Sequence, residues 1–146
     1  MIGFKAESFN VKTTAIWEED KKGRFVTTEW KEPIKFSCPP IFGGTSLPSP
    51  EDLFLASVAT CTLTTILHIC DRLHTKPESL SVTTSATFEF DKKSNDFTAA
   101  TINCDINIYG EKFLLERACE LIPKYCVIGK SIKPTIKYEV IINPTP

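Results

Sequence analysis

Two cysteines carry the chemistry that this sequence suggests. Cys61 lies near the middle of a long apolar segment, Ser49–Leu73, and Cys126 follows it by 65 residues, after a break in a second helical segment. A hydrophobic helix needs no thiol for its packing, and an acidic residue, Glu51, stands at its start. Since thiols react with oxidants as thiolates, a thiol pair near charged groups is suited to redox chemistry. We therefore expect redox chemistry inside a dry pocket.

Each of these thiols also has a structural interpretation. Free cysteines are commonly small buried core residues, so Cys61 and Cys126 could serve packing alone. The other thiols are interpreted as core or loop residues without a redox role: Cys38, Cys70, Cys104 and Cys119. No two cysteines form a CxxC pair, so the sequence predicts no structural zinc site. It indicates no organic cofactor either.

A cysteine hydrolase is not favoured. His68 shares a helix face with Cys61, but two helical turns separate them by about 10 Å. A Cys–His nucleophile pair needs the two side chains within hydrogen-bonding distance.

The helix that carries Cys61 has clear start and stop signals. Ser49 can cap it, Pro50 suits the first position, and two acidic residues follow at the positive end of the helix dipole. Pro77 prevents much continuation, so we predict a helix over 50–74. Threonines and charged residues interrupt this segment, which favours a buried core helix over a membrane span. The N-terminus shows no secretory signal, so we expect a cytoplasmic protein without a membrane partner.

The remaining chain is predicted to form strands and a second helix. Alternating apolar residues indicate strands, and the spacing of apolar residues after Gly110 indicates an amphipathic helix. The order predicts an α+β fold, with helices packed against antiparallel sheet, in a single domain over 1–146. The other predicted elements are N-terminal strands 1–38, strands 79–109 with Leu80, Val82, Ala86, Phe88 and Phe90 on one face, a second helix 111–122, a short helical turn near 126–131 and a final strand 134–143.

Composition bounds the classes of partner. The chain has 146 residues, of which 42% are hydrophobic, enough for one globular domain with a core. Its net charge is −1 and no basic stripe is present, so we expect no nucleic-acid partner.

Three motifs resemble those of one known family. They are the loop Pro39–Gly44 (PPIFGG), the helix sequence SPEDLFLASVATC that ends at Cys61, and CVIGKSI at Cys126–Ile132. Together with the element order, they are similar to the OsmC/Ohr proteins (osmotically inducible protein C and organic hydroperoxide resistance protein). The resemblance covers nearly the whole chain.

The resemblance implies a fold, an assembly and an activity. It implies an OsmC-like fold of antiparallel sheets around a long central helix, in an intertwined homodimer. It implies a thiol-dependent peroxidase that reduces organic hydroperoxides and is regenerated by a dithiol reductant of lipoyl or another type. Cys61 would be the peroxidatic thiol and Cys126 the resolving thiol. Glu51 matches the family's site glutamate, and Arg24 is the best candidate for its arginine.

Charge and distance bear on these assignments. A guanidinium stays charged and can stabilise a thiolate, so Arg24 suits a site with Cys61, and Glu51 could hold it through a bidentate pair. Glu51 precedes Cys61 by ten residues, which is about 15 Å along a helix. Either Arg24 therefore bridges a long gap, or Glu51 comes from a partner subunit. For Glu51, a simple role as an acidic residue at the helix start remains open, as does a solvated position for Arg24.

Two other functions compete with the peroxidase. One is a non-enzymatic dimer of the same fold that binds a small apolar ligand or senses thiol oxidation. The other is a structural or interaction dimer with inert thiols. Thiol reactivity and turnover would distinguish these alternatives.

Overall fold

The computed structural model describes residues 7–144, so the start of the predicted strands 1–38 lies in part outside the described residues. The described chain is α+β, with several small sheets and one long helix, and it divides into two compact units, one up to Phe54 and one from Leu55 onward. The elements are β1 Thr13–Glu19, β2 Lys22–Thr27, β3 Ile34–Ser37, α1 Pro50–Arg72, β4 Ser79–Ala86, β5 Glu89–Asp91, β6 Asp96–Thr98, β7 Thr101–Tyr109, α2 Lys112–Glu120, α3 Ile122–Tyr125, α4 Val127–Ser131 and β8 Thr135–Asn143.

The first unit contains an antiparallel meander followed by a glycine-containing loop. Strands β1, β2 and β3 pair in sequence order, and Asp20, with φ of 46°, makes the tight turn between the first two. A single 3₁₀ turn over Pro40–Phe42 then ends at Gly43, whose φ is 84°. Gly44 packs so closely on the carbonyl of Cys38 that no side chain fits there. The two glycines therefore fold the loop back on itself before α1 begins.

The start of α1 is a capping box. The Asp52 backbone N–H donates to Ser49 Oγ at 3.1 Å, and the Ser49 backbone N–H donates to Asp52 Oδ2 at 2.9 Å. Two otherwise unpaired N–H groups are satisfied in this way. The Ser49 N–H and the Ser49 hydroxyl both donate to the Asp52 carboxylate, and they lower the pKa of that carboxyl. The predicted cap and the predicted start at Pro50 are those of the structure.

The sheet of the second unit is mixed, which corrects the expectation of antiparallel sheet. Its strand order is β4-β7-β8, with β4 antiparallel and β8 parallel to β7. Parallel neighbours need a crossover connection, and the segment from 110 to 134, which contains α2, α3 and α4, provides it. That crossover contains Cys126 and brings it into contact with α1.

The core of the second unit lies between α1, β7 and the crossover. The middle of α1 contributes Ile66 and Ile69, and the alternate residues of β7 that face inward include Ile106 and Ile108. Cys70, Cys104 and Cys119 are buried in this cluster, as expected for core thiols. The remaining buried members are Leu115, Ala118, Ile122 and Cys126.

One strand is shorter than predicted. Strand β4 ends at Ala86, and Phe90 lies in a separate two-stranded hairpin, where its ring meets that of Phe97 edge-on with centroids 5.7 Å apart. Phe90 is 53% exposed, so it does not share a buried face with Leu80. The side chain of Asp91 accepts hydrogen bonds from Lys93 N–H and the Ser94 hydroxyl and so closes a local turn, which competes with a continuous strand.

Helix α1 is long and apolar enough to cross a bilayer by length and composition alone. One such helix is weak support for a membrane protein, because core helices of soluble proteins meet the same criterion. In the second unit, α1 buries Val58, Thr62, Ile66, Ile69 and Cys70.

Candidate functional site

The structure brings Cys61 and Cys126 together. Their sulfur atoms lie 3.5 Å apart, with the Cys126 thiol donating to Cys61 Sγ. Both are free thiols; Cys61 is partly buried on α1, and Cys126 is fully buried. A disulfide bond needs sulfur atoms about 2.05 Å apart. Only a small movement therefore separates this pair from a covalent bond.

Cys126 is held at a junction between two short helices. It is the C-cap of α3 and the N-cap of α4, in an extended conformation with φ of −72° and ψ of 105°. Its backbone N–H donates to the carbonyl of Ile122 at 2.8 Å, and its sulfur accepts from the Gly129 N–H at 3.4 Å. The α3–α4 junction thus fixes both the backbone and the thiol.

Thr62, the neighbour of Cys61 in the chain, is bonded to a third thiol. It is fully buried on α1, beside Cys61, and its hydroxyl accepts a hydrogen bond from the Cys104 thiol at 3.7 Å. Thr60 and Thr64 on the same helix donate their hydroxyls to backbone carbonyls instead. A threonine in a helix usually makes such a local bond, so nothing in the amino-acid pattern indicates that Thr62 belongs to this site.

Tyr138 also faces the thiol pair. A Cβ added to Gly129 would come within 3.2 Å of the Tyr138 hydroxyl oxygen and 3.3 Å of Cys126 Sγ, so the hydroxyl and the sulfur border the same small space. Strand β8 places Tyr138 there, at a partly buried position. Tyr138 also lines a groove of about 610 Å³ between α2 and β8, together with Cys119 and Val140.

Burial dominates the electrostatics of the site. Loss of water raises the pKa of the Cys126 thiol, and the hydrogen bond from the Gly129 N–H lowers it in part. The hydrogen bond to Cys61 raises it further, whereas the Thr62 hydroxyl lowers it. For Tyr138, burial first and then nearby Cys126 raise the pKa of the phenol far above its usual range. Tyr138 therefore keeps its proton, and remains a hydrogen-bond donor, wherever thiols titrate.

The two predicted charged residues lie in the first unit and do not pair with each other. Arg24 Nη1 lies 3.7 Å from Glu18 Oε2, and both side chains are partly exposed. Glu51 Oε2 is buried and has no hydrogen-bond partner among the described residues. A buried carboxylate oxygen of this kind is costly unless a donor reaches it. The roles of Arg24 and Glu51 stay predictions.

The assembled groups are suited to thiol chemistry. Within residues 7–144, no group of three or more His, Cys, Asp or Glu side chains is placed to hold a metal ion. The cluster contains two adjacent thiols, a third thiol bonded through Thr62, and a phenol. Two adjacent thiols can form a disulfide, and an external dithiol can reduce that disulfide back to the two thiols.

Comparison with known families and curated proteins gives one match. The family model described as OsmC-like protein matches residues 43–141, a range that includes α1 and the segment around Cys126. The curated proteins contain no match.

Solved structures share the fold over nearly the full length of both chains. An OsmC-like protein of unknown function from Vibrio cholerae has a TM-score of 0.80 at 15% identity, covering 92% of this chain and 100% of its own. An organic hydroperoxide resistance protein OsmC from Legionella pneumophila has a TM-score of 0.74 at 19% identity, covering 95% and 99%. The organic hydroperoxide resistance protein OhrB of Bacillus subtilis has a TM-score of 0.65 at 17% identity, covering 92% and 98%. At these identities the likeness concerns the fold.

Proposed function

Because this chain belongs to the OsmC-like protein family, we propose that it is a thiol-dependent peroxidase that reduces organic hydroperoxides. Cys61 is the peroxidatic thiol and Cys126 the resolving thiol. The observation that carries the proposal is the 3.5 Å separation of their sulfur atoms. The two residues are 65 positions apart in the chain, and no disulfide joins them here.

The reaction has three steps. The Cys61 thiolate attacks one peroxide oxygen, the O–O bond breaks, and the other oxygen leaves as an alcohol after taking a proton. Cys61 is then a sulfenic acid. The Cys126 sulfur attacks the sulfur of Cys61, and the S–OH oxygen leaves as water, giving a disulfide. An external dithiol supplies the two electrons and two protons that restore both thiols, and a lipoyl-type dithiol suits this step.

A preference for organic over hydrogen peroxide rests on the apolar surroundings of the thiols. Val127, the residue after Cys126, is 51% exposed. Apolar surface beside the thiols favours a substrate with a hydrocarbon group. The hydroperoxide resistance proteins of the same fold from Legionella pneumophila and Bacillus subtilis are in keeping with this class of substrate.

The active assembly in this proposal is a cytoplasmic homodimer. Each unit exposes large apolar side chains that a second subunit could cover, among them Trp17, Ile41, Phe113 and Ile141. The Oε2 atom of Glu51 is buried without a hydrogen-bond partner, and a cation beside it would offset the cost of burying its charge. In the dimer, an arginine, with Arg24 the leading candidate, would pair with Glu51 and stabilise the Cys61 thiolate.

The decisive experiment measures the consumption of cumene hydroperoxide with dihydrolipoamide as reductant. We expect multiple turnovers by the wild-type protein, loss of nearly all activity in Cys61→Ser, and accumulation of a Cys61 sulfenic acid, trapped by dimedone, in Cys126→Ser. Cys38→Ser is the matched control, because the Cys38 thiol donates to the backbone carbonyl of Phe42 in its own loop, and it should retain the wild-type rate. One slow oxidation per thiol pair without turnover would instead favour a sensor or a ligand-binding dimer. Comparable rates for hydrogen peroxide would remove the preference for organic substrates.

A further inference from the structure

The Cys126 sulfur accepts a hydrogen bond from the Gly129 N–H, and the Tyr138 hydroxyl borders the same small space above Gly129. We propose that the hydroxyl of Tyr138 is a catalytic group of the disulfide-forming step, in which it stabilises the developing thiolate of Cys126 as it attacks Cys61. This inference rests on the proposed function for its physiological setting. It concerns a step that can be measured without a peroxide.

Three polar groups of different kinds bear on the Cys126 sulfur. The Gly129 N–H lies 3.4 Å away, donates to it and is fixed by α4. The buried Thr62 hydroxyl accepts from the Cys104 thiol and lowers the pKa of the Cys126 thiol in part. The Tyr138 hydroxyl borders the same space above Gly129 as the Cys126 sulfur. Hydrogen bonds to a charged sulfur are stronger than those to a neutral one, so these donors act mainly on the thiolate.

The surroundings of the Cys61 sulfur differ from those of Cys126. Among the described residues, its sulfur receives a hydrogen bond from Cys126 alone. Cys61 is also the more exposed of the two thiols, whereas Cys126 is fully buried. Burial opposes a thiolate at Cys126, and the donors offset part of that cost.

The chemistry of ring closure requires this offset. The proton of the Cys126 thiol must leave before or during attack, the new S–S bond forms, and the S–O bond of the Cys61 sulfenic acid breaks. The departing hydroxide takes up one proton, so the net products are a disulfide and water. Tyr138 lends a hydrogen bond and keeps its own proton throughout, because its phenol does not ionise in the range where thiols do.

Ring closure can be followed with 2,2′-dithiodipyridine in a Cys38→Ser background. The first thiopyridone released reports attack by the more exposed thiol, Cys61, and the second reports attack of Cys126 on the mixed disulfide. In Tyr138→Phe, we expect the second phase to slow about tenfold at pH 7, since one hydrogen bond to a charged group is lost. The pH at half-maximal closure rate should rise, and the two proteins should converge at high pH. The first phase should not change.

Tyr109→Phe is the matched control. Tyr109 ends the neighbouring strand β7, is 39% exposed, and should leave both phases unchanged. Equal closure rates and pH profiles in wild type and Tyr138→Phe would overturn the inference. Peroxide turnover is measured separately on the same proteins. Failed turnover with a shifted closure profile would refute the proposed function alone, whereas normal turnover with an unshifted profile would refute this inference alone.

Discussion

At the scale of single residues, Gly129 leaves little room for a side chain beside the Cys126 sulfur. A Cβ added there would meet Ile136 Cδ1 and the Tyr138 hydroxyl at 3.2 Å, and Cys126 Sγ at 3.3 Å. Contacts this short force the neighbours to move by a few tenths of an ångström. The hydrogen of a glycine is therefore what allows the Tyr138 hydroxyl and Cys126 to approach each other.

Gly129→Ala should impair disulfide formation more than folding. The added methyl group pushes Tyr138 and Cys126 apart, while alanine favours the helical conformation of α4 and offsets part of the strain. We expect closure of the Cys61–Cys126 disulfide to slow several-fold, with a change of about 1 kcal/mol or less in the free energy of unfolding. Closure kinetics and urea unfolding measure the two effects. Lys130→Ala, at the exposed next position, is the control; a variant Gly129→Ala that closes as fast as this control would contradict the prediction.

The residues of the site differ in how readily the sequence reveals them. Cys61 and Cys126 stand in recognisable motifs, and the structure places them in contact. Thr62 and Tyr138 carry no such signal, because a buried threonine on an apolar helix and a tyrosine on an alternating strand are ordinary core residues. Their relation to Cys126 depends on the α4 turn at Gly129, which brings distant segments together. That proximity is visible only in the folded structure.

At the scale of elements, the first turn of α1 depends on Ser49. Ser49→Ala removes the acceptor of the Asp52 N–H and the hydroxyl that donates to the Asp52 carboxylate. We expect a loss of about 1 kcal/mol in the free energy of unfolding, measured by urea denaturation at pH 7. Ser46→Ala, at an exposed loop position, should have almost no effect. Equal losses in the two variants would show that the capping box contributes nothing.

Local features of the elements were predictable and distant pairings were not. The cap and the start of α1 follow from neighbouring residues, and the structure has them where the sequence indicates. The parallel pairing of β7 with β8 depends on a crossover that ends more than twenty residues later, and alternation along a strand is the same for parallel and antiparallel neighbours. The short hairpin of β5 and β6 was missed because a local turn at Asp91 interrupts an apparently continuous alternation.

At the scale of the whole molecule, the buried thiols link stability to pH. Burial raises the pKa of Cys70, Cys104 and Cys126, and raises that of Cys119 from 9.0 to about 11. Below pH 9 these thiols are protonated in both the folded and the unfolded chain, so their contribution to stability is complete. As the pH rises further, the unfolded chain releases its thiol protons first, which favours unfolding.

The reduced protein should therefore lose stability between about pH 9 and pH 11. Cys119 alone accounts for about 2 kcal/mol of this loss, because its pKa is raised by about two units. Urea unfolding at several pH values, with a reductant present, measures the effect. Cys119→Ala should show a shallower decline than the wild-type protein, whatever its stability at pH 7. Parallel declines for the two proteins would contradict the assignment.

The contact between Cys61 and Cys126 has a consequence for chain topology. Their disulfide would close a covalent ring that contains β4, β7 and α2 and leaves β8 outside it. A ring spanning 65 residues restricts the unfolded chain, and the entropy lost there corresponds to about 4 kcal/mol of added stability for the folded form. The sulfur atoms lie 3.5 Å apart, so the fold needs only a small movement to form the bond. In a catalytic cycle, the protein would then alternate between a disulfide form that is more stable to unfolding and a dithiol form that is less stable.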